Sequence, residues 1–344
     1  MSKILVTGGT GYIGSHTVVE LINEGFEVVI VDNLSNSKLG SLDGIEKITD
    51  VRPVFRRIDL RSRRKTEALL KKHPDIEAII HFAAYKAVGE SVEQPLQYYR
   101  NNLMSLINLL ELMQRYSIPN MVFSSSCTVY GQPEKLPVTE DAPVQAATSP
   151  YGNTKQISEE IIRDTVAATD NINAIALRYF NPIGAHPSAL IGELPVGVPN
   201  NLVPFITQTA IGIREQLSVF GNDYNTPDGS CIRDYIHVVD LAKAHVTAVR
   251  RLLENKNKAG FEMFNLGTGQ GVSVLELVQT FEKVSGVKLN YKTVARRPGD
   301  TEQVWADTTY ANEVLGWKAQ STLEETLKSA WDWEVYYKKS GGWK

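Results

Sequence analysis

Short apolar runs rich in β-branched residues alternate with longer segments of helical period through the first half of the chain. This alternation is typical of βαβ units, which build parallel sheets covered by helices on both faces. The pattern predicts strands at residues 3–7, 27–32, 53–57, 78–82, 120–124 and 173–178. It predicts helices at residues 12–24, 61–72, 95–115 and 151–168. We therefore expect an α/β fold built on a Rossmann-type, doubly wound parallel sheet.

The pattern changes after Arg178, where loops rich in proline and glycine separate the apolar segments. This part of the chain predicts a strand at residues 262–266 and helices at residues 202–213, 240–255, 274–285 and 323–337. We expect two domains, the Rossmann-type domain over residues 1–180 and a second, smaller α/β lobe over residues 181–344. A segment at about 235–260 is expected to return to the first domain.

Composition and charge exclude several classes of protein. Of the 344 residues 42% are hydrophobic and 22% are charged, as in ordinary folded domains. A net charge of −3 gives no basic field, so we expect no nucleic-acid partner. The two cysteines, Cys127 and Cys231, lie far apart, which argues against disulfides or a zinc site and suits a reducing compartment. No apolar run reaches 18 residues, so we expect that the protein does not span a membrane and is cytoplasmic. We also expect no bound metal.

A glycine-rich turn directly follows the first predicted strand. Residues 8–14 read GGTGYIG, with glycines at Gly8, Gly11 and Gly14. Such a turn lets the backbone approach a pyrophosphate at a helix N-terminus. Asp32 ends the second strand 18 residues beyond Gly14, near the spacing of the acid that holds a ribose 2′-hydroxyl. Because this carboxylate would repel a 2′-phosphate, the pattern predicts NAD rather than NADP.

Tyr151 and Lys155 form a Y-x-x-x-K pair on one face of the fourth predicted helix. Ser149 and Pro150 are typical of an N-cap and first helical position, which puts Tyr151 in the first turn. Ser126 follows the preceding strand, at the sheet edge where such folds bind ligands. A phenol of pKa about 10 is a poor base unless its pKa falls by about 3 units. We expect Lys155, the helix terminus and an oxidised nicotinamide to lower it together.

These features resemble the extended short-chain dehydrogenase/reductase superfamily. Within it, the chain resembles the UDP-glucose 4-epimerase family at residues 81–84 (HFAA), 124–131 (SSSCTVYG), 149–152 (SPYG), 178–182 (RYFNP) and 233–238 (RDYIHV). The resemblance implies an NAD-dependent isomerase that interconverts UDP-glucose and UDP-galactose through a transient 4-keto sugar. It also implies a homodimer. The helices at 95–115 and 151–168 are apolar on more than one face, which suits either a dimer interface or sheet packing.

The same resemblance assigns roles to individual residues. Tyr151 is the acid/base, Lys155 lowers its pKa and binds the nicotinamide ribose, and Ser126 hydrogen-bonds the sugar oxygen. Besides these three, the glycine-rich turn and Asp32, the residues implied for NAD are Tyr12, Ile13, Asn33, Leu34, Ser35, Asn36, Ser37, Asp59, Leu60, Phe82, Ala83, Ala84, Lys86, Asn101 and Phe180. Besides Ser126 and Tyr151, those implied for the nucleotide sugar are Lys86, Tyr179, Asn181, Asn201, Leu202, Ser218, Val219, Phe220, Arg233, the segment from Arg297 to Asp300, and Val304.

The chemistry of a UDP-sugar agrees with part of the second set. Its diphosphate requires cations, and Arg233 and Arg297 can bind it with forked geometry. Phe220 either packs on a uracil ring or belongs to the core. His237 has a catalytic residue type, but we interpret it as a buried, hydrogen-bonded histidine because Tyr151 already fills the acid/base role.

Val304 distinguishes this chain from family members that carry a tyrosine at the sugar 2-substituent. Since valine leaves room for an acetamido group, we expect UDP-N-acetylglucosamine and UDP-N-acetylgalactosamine to be substrates as well.

Three alternatives remain open. A nucleotide-sugar 4,6-dehydratase shares the fold, NAD, tyrosine and lysine, but typically has Asp-Glu where this chain has Cys127 and Thr128. A UDP-glucuronate 4-epimerase would need only one or two extra donors for the substrate carboxylate. A non-catalytic NAD-sensing regulator on the same fold could dispense with Tyr151 and Lys155.

Overall fold

A computed structural model describes residues 1–297 and 300–343 of the chain. Its strands are Lys3–Thr7 (β1), Glu27–Asp32 (β2), Val54–Arg57 (β3), Ile76–His81 (β4), Asn120–Ser126 (β5), Asn173–Tyr179 (β6), Asn181–Ile183 (β7), Leu217–Phe220 (β8), Ile232–Arg233 (β9), Tyr235–His237 (β10), Phe261–Leu266 (β11), Val272–Ser273 (β12), Tyr291–Val294 (β13) and Gln303–Val304 (β14). Its α-helices are Tyr12–Asn23 (α1), Gly40–Thr49 (α2), Arg63–Lys72 (α3), Val88–Glu93 (α4), Pro95–Tyr116 (α5), Pro150–Ala167 (α6), Leu202–Ala210 (α7), Val238–Leu253 (α8), Val274–Ser285 (α9) and Leu323–Lys339 (α10).

Seven parallel strands form the central sheet, in the order β11-β6-β5-β4-β1-β2-β3. The chain reverses its direction of winding between β1 and β4, and ligands of doubly wound sheets bind outside the carboxyl ends of the strands at such a point. The predicted Rossmann-type fold is confirmed. All six strands and all four helices predicted for the first half are present, within about three residues at each end.

Alternation along the strands divides the apolar residues between two cores. On β1, Ile4 and Val6 pack with α1, α2 and α8 on one face, whereas Leu5 packs with α3, α5 and α6 on the other. Successive side chains of a strand point to opposite faces, so a fully apolar strand such as ILV in β1 requires cover on both sides. The helices supply that cover.

The strand predicted at residues 262–266 is not in the second lobe, contrary to our expectation. It forms β11, which pairs in parallel with β6 at the edge of the central sheet. The chain returns to the central sheet through the amphipathic helix α8, which packs on α1 and against the sheet. This helix lies in the segment that we expected to rejoin the first domain. A short apolar run predicts a strand, but its sequence does not show which sheet the strand joins.

The remaining elements form a smaller lobe around a third core that includes Ile206, Leu277, Phe281 and Leu327. Here β8 pairs with β13, and β9 lies between β12 and β14. Capping boxes at Ser273 and Thr322 fix the starts of α9 and α10. In the described part of the chain no helix is both long and apolar enough to cross a membrane.

Candidate active site

The glycine-rich turn lies at the carboxyl end of β1 and leads into α1. Gly8 has a φ of +70°, and a Cβ atom there would lie 2.9 Å from the Ala83 backbone nitrogen. A Cβ atom on Gly14 would lie 2.2 Å from the Gly8 carbonyl oxygen. Only glycine fits both positions, so the turn brings bare backbone to the edge of the sheet. This is the cradle that a pyrophosphate requires.

Asp32 is held rigidly at the end of β2. Its carboxylate accepts hydrogen bonds from the amides of Leu34 at 2.8 Å and Thr10 at 3.3 Å, and from the Ser37 hydroxyl at 3.1 Å. The loop of residues 33–37 therefore folds around the acid, beside the glycine-rich turn. A fixed carboxylate at this edge suits the two hydroxyls of a ribose and disfavours a phosphate ester there.

The end of β4 completes the wall of the cleft. The Thr7 hydroxyl and His81 Nδ1 are 2.7 Å apart, and the Ala83 amide donates to the Thr7 hydroxyl at 3.3 Å. Burial lowers the pKa of His81 to about 3, with a smaller effect from the positive charge of Lys155. His81 is therefore neutral and serves to fix the backbone at Phe82 and Ala83.

Helix α6 begins as predicted. Ser149 is its N-cap and accepts a hydrogen bond from the Gly152 amide at 3.1 Å, and Pro150 is the first helical residue. Tyr151 and Lys155 lie one turn apart, and the Lys155 ammonium is 6.0 Å from the centre of the Tyr151 ring. The same ammonium donates to the Ser124 carbonyl at 2.5 Å. The structure thus brings Tyr151 and Lys155 to the end of β5, where Ser126 lies.

Burial dominates the pKa values of this group. Burial raises the pKa of Tyr151 to about 12, although the hydrogen bond with the Ser126 side chain acts against it. Burial also lowers the pKa of Lys155 to about 8, opposed by the negative charge of Glu159. Desolvation is thus the dominant effect on the phenol, and the lowered pKa that we expect includes the positive charge of an oxidised nicotinamide. A further positive charge beside the ring is needed.

A chain of buried polar side chains joins α5 to α6, and only its first member, Asn101, is among the predicted residues. Asn101 donates to the Asn102 side-chain oxygen at 3.1 Å, and Asn102 donates to the Thr154 hydroxyl at 3.0 Å. Thr154 in turn donates to the Tyr151 carbonyl at 2.7 Å. The adjacent asparagines at the start of an apolar stretch of α5 were the sequence signal that could have indicated this buried polar contact.

Several residues implied for NAD make their contacts within the protein. The Tyr12 hydroxyl donates to the Gly184 carbonyl at 2.6 Å. Asp59 pairs with Arg61, whose hydrogen bonds hold the pKa of that carboxyl below its usual value. Leu60 is buried, as is Phe180. The remaining members, Ile13 and Ala84, are partly buried beside the glycine-rich turn and after β4.

The residues implied for the sugar nucleotide divide into two groups. Arg233 on β9 pairs with Val304 on β14, and Val304 packs with Phe180 and with Val129 of the turn after Ser126. The Asn181 amide group donates to the Asp234 carbonyl at 3.2 Å, which ties β7 to the same region. This group lies beside the turn that follows Ser126.

The second group surrounds Phe220. The Arg297 guanidinium lies 5.3 Å from the Phe220 ring centre and bonds Asp300 at 2.7 Å. Phe220 is 39% exposed, so it is not a core residue. Ser218 and Val219 precede it on β8, with the Val219 side chain buried. Residues 298 and 299 of the implied 297–300 segment lie outside the described residues.

Glu193, which is absent from our predictions, links two residues that the resemblance implies for ligand binding. It accepts from Lys86 at 3.2 Å and from Asn201 at 2.6 Å. Asn201 precedes Leu202, which packs partly buried in the core of the second lobe. Tyr179 is buried with its hydroxyl bonded to Ser124, so it supports the end of β5.

His237 is buried and accepts from the Val239 amide at 3.0 Å, as predicted. Among residues 1–297 and 300–343, no group of three or more His, Cys, Asp or Glu is arranged to hold a metal ion.

Comparison with known proteins supplies the family. The sequence model of the family described as GDP-mannose 4,6 dehydratase matches residues 5–330. The UDP-glucose 4-epimerase of Bacillus subtilis is 53% identical over 96% of both chains. The chain belongs to the UDP-glucose 4-epimerase family.

Solved structures of this epimerase family have the same fold. The Bifidobacterium longum UDP-glucose 4-epimerase in complex with NAD+ and UDP aligns with a TM-score of 0.93 at 44% identity, covering 97% of this chain and 98% of that one. The Stenotrophomonas maltophila UDP-glucose-4-epimerase with bound NAD and formylated UDP-arabinopyranose aligns with a TM-score of 0.95 at 46% identity, covering 99% and 100%. The resemblance noted in the sequence is thus confirmed.

The charge state of Lys155 can be measured directly. We expect its amine to titrate near pH 8, because burial disfavours the ammonium. Competitive acetylation with trace acetic anhydride, quantified by mass spectrometry across pH, reports this midpoint. Lys288, whose pKa the hydrogen bond to Glu282 raises above 10.5, is the internal control. A Lys155 midpoint at or above that of Lys288 would contradict the assignment.

Proposed function

We propose that this protein interconverts UDP-glucose and UDP-galactose at C4 with NAD as its cofactor. The observation that carries the proposal is the grouping of Ser126, Tyr151 and Lys155 at the carboxyl end of β5, in a chain of the epimerase family. NAD held at the glycine-rich turn and Asp32 would supply a hydride acceptor and donor for C4 of the sugar. The chain's own residues position the sugar and move its hydroxyl proton.

The residues present suit NAD. The turn at Gly8 and Gly14 leaves space that a side chain would fill, and backbone amides at a helix start favour a pyrophosphate. The Asp32 carboxylate, held by three hydrogen bonds, suits an adenosine ribose diol. Lys155, which is charged at neutral pH, suits the hydroxyls of the nicotinamide ribose. The positive nicotinamide is also the charge that Tyr151 lacks in its dry surroundings.

The three catalytic side chains have distinct tasks in this proposal. Tyr151 accepts the proton of the 4-hydroxyl when C4 is oxidised and returns it when the 4-keto sugar is reduced. Ser126 hydrogen-bonds the same oxygen, and Lys155 stabilises the phenolate by its charge. One base serves both directions, because the keto sugar turns over between the two steps.

Binding of the UDP portion is assigned to the second lobe. Arg233 and Arg297 match a diphosphate in charge and geometry, and the half-exposed Phe220 ring matches a uracil face. Asn181 and Asn201 supply amides for the remaining polar groups. The Bifidobacterium longum relative was solved with UDP, which supports binding of a UDP group by this fold.

The direct test is to incubate purified protein with UDP-galactose, without added cofactor, and to separate the products. We expect UDP-glucose with no net release of NADH. Tyr151→Phe removes the proton acceptor and keeps the ring, so turnover should fall by about 10²–10⁴ while NAD stays bound. Tyr116→Phe, which loses a hydroxyl bonded to Glu67 away from the site, is the matched control and should keep full turnover.

Other products would identify the alternatives. A dehydrated 6-deoxy sugar would indicate the dehydratase chemistry for which the matching family model is named; the residues after Ser126, Cys127 and Thr128, offer no carboxylic acid for it. Turnover of UDP-glucuronate alone would indicate the uronate epimerase. Bound NAD with no turnover of any UDP-sugar would indicate a sensor. Near-normal turnover by Tyr151→Phe would refute the role of Tyr151.

We further propose that Val304 admits an acetamido group at C2 of the sugar. Its backbone pairs with Arg233, and its side chain packs beside Phe180 near the Ser126 loop. Val304→Tyr would fill this space, and overpacking by a few atoms costs about 1–3 kcal/mol. We expect catalytic efficiency to fall more for UDP-N-acetylglucosamine than for UDP-glucose, measured side by side. Equal losses, or no acetylated activity in the natural protein, would reject the pocket role and leave the epimerase assignment standing.

We also propose that the protein is a homodimer in a reducing, cytoplasmic compartment, where Cys127 and Cys231 stay free thiols. The interface is assigned to an apolar stripe on α4 and α5 formed by Val88, Val92, Leu96, Met104 and Ile107, all exposed on the single chain. Val88 and Val92 lie four residues apart on α4, and Leu96, Met104 and Ile107 lie eight and three residues apart on α5, so each set shares one face of its own helix. A contiguous exposed apolar stripe is typical of a protein interface.

Leu96→Glu tests the dimer, because a buried unpaired carboxylate at the centre of the stripe would oppose association. We expect the natural protein to have the mass of two chains in solution by light scattering, and the variant to have the mass of one. Ile213→Glu, at an exposed apolar residue of the second lobe, is the control and should remain dimeric. A monomeric natural protein would contradict the proposal.

A further inference from the structure

A buried ion pair lies directly beneath the catalytic residues. Glu159 follows Lys155 by one helical turn on α6, and its carboxylate accepts two hydrogen bonds from Arg178 on β6, at 2.9 and 2.6 Å. Both side chains are almost fully buried, at 4% and 2% exposure. Taking two charges out of water is costly, so such a pair needs a compensating network.

The network runs to the strand that carries Ser126. The Ser125 hydroxyl donates to Glu159 at 2.5 Å, while the preceding Ser124 carbonyl accepts from Lys155. Three consecutive residues of β5 therefore meet α6 or the site: Ser124 through Lys155, Ser125 through Glu159, and Ser126 as the candidate catalytic hydroxyl. Two successive turns of the helix are tied to the strand end.

We propose that Glu159 is a positioning residue for the reaction. It fixes the end of β5 against α6, so that Ser126 and Tyr151 keep their mutual geometry, and its negative charge keeps Lys155 in the ammonium form. The inference rests on the proposed function, in which the ammonium charge of Lys155 stabilises the phenolate of Tyr151.

The charged groups around Lys155 determine whether loss of Glu159 raises or lowers the pKa of the lysine. Tyr151 and Glu159 each lie one turn from it on α6, His81 on β4 is close enough for its pKa to respond to the Lys155 charge, and Arg178 on β6 is bonded to Glu159. His81 is neutral and Tyr151 is protonated at neutral pH, whereas Arg178 is a cation paired with Glu159. Glu159 is thus the charge that opposes the desolvation of Lys155. Without it, the pKa of Lys155 falls below about 8, and activity that needs the ammonium is lost at a lower pH.

Glu159→Gln tests the charge. We expect the midpoint of Lys155 acetylation to fall by at least about one pH unit, and the alkaline limb of the kcat profile to move down with it, while KM changes little. The labelling midpoint is independent of turnover. If the natural protein fails to epimerise, the proposed function falls but the labelling result still stands; if it epimerises and the Glu159→Gln midpoint does not move, this inference is overturned.

Glu262→Gln is the matched control. Glu262 forms the same kind of buried pair, accepting from Arg251 at 2.7 and 2.9 Å, but it is near the start of the edge strand β11, away from the carboxyl ends. The variant should lose stability as Glu159→Gln does, with no shift in the Lys155 midpoint or the alkaline limb. The same shift in both variants would reduce Glu159 to a structural role and overturn the proposal.

Ser125→Ala tests the positioning half and applies even if Glu159→Gln does not fold. It keeps the ion pair and its charge and removes only the tie to β5. We expect kcat to fall by about three- to tenfold, because small misplacement of reacting groups is costly, with the alkaline limb unchanged. Unchanged kcat in this variant would refute the positioning role of Glu159.

Discussion

The site depends on keeping one ammonium group charged in a dry place. Lys155 is buried among rings, with its ammonium 4.8 Å from the centre of the Phe123 ring and bonded to a backbone carbonyl. Burial alone would favour the neutral amine. Glu159 opposes this effect without a direct ion pair, because it lies one turn after Lys155 on the same helix. The position of α6 against the end of β5 is therefore the arrangement that the chemistry requires.

The rest of the molecule brings the second lobe to the edge of the sheet where that arrangement lies. The switch between β1 and β4 opens the cleft in which the glycine-rich turn and Asp32 lie. The second lobe reaches the same edge through Val304, which packs with Phe180 and Val129, and through Glu193, which joins Lys86 to Asn201. The packing of Val304 on Phe180 and Val129 and the bond between Glu193 and Lys86 connect residues far apart in sequence. They hold the second lobe beside the edge of the central sheet that carries the glycine-rich turn.

Local spacing determined what the sequence could predict. The glycine-rich turn, Asp32, the Ser149 cap and the Tyr151–Lys155 pair each depend on neighbours within a few residues or on one βαβ unit, and the sequence revealed all of them. Helix α2 was missed because its two glycines weaken a helical pattern. Glu193 and the Glu159–Arg178 pair were missed because their partners lie 8 to 107 residues away. Nor could the sequence reveal that burial would raise the pKa of Tyr151, since the desolvation of a side chain follows from the packing around it.

The central claim is that one base and one bound cofactor remove the C4 hydrogen and give it back within a single turnover. The most direct measurement uses UDP-galactose that carries deuterium at C4, in ordinary water, with the position of the label in the product read by NMR. We expect the UDP-glucose formed to retain deuterium at C4, because the dry site around Tyr151 and Lys155 shields the transferred hydrogen from solvent. Loss of the label to water, or its appearance at C6, would contradict the account.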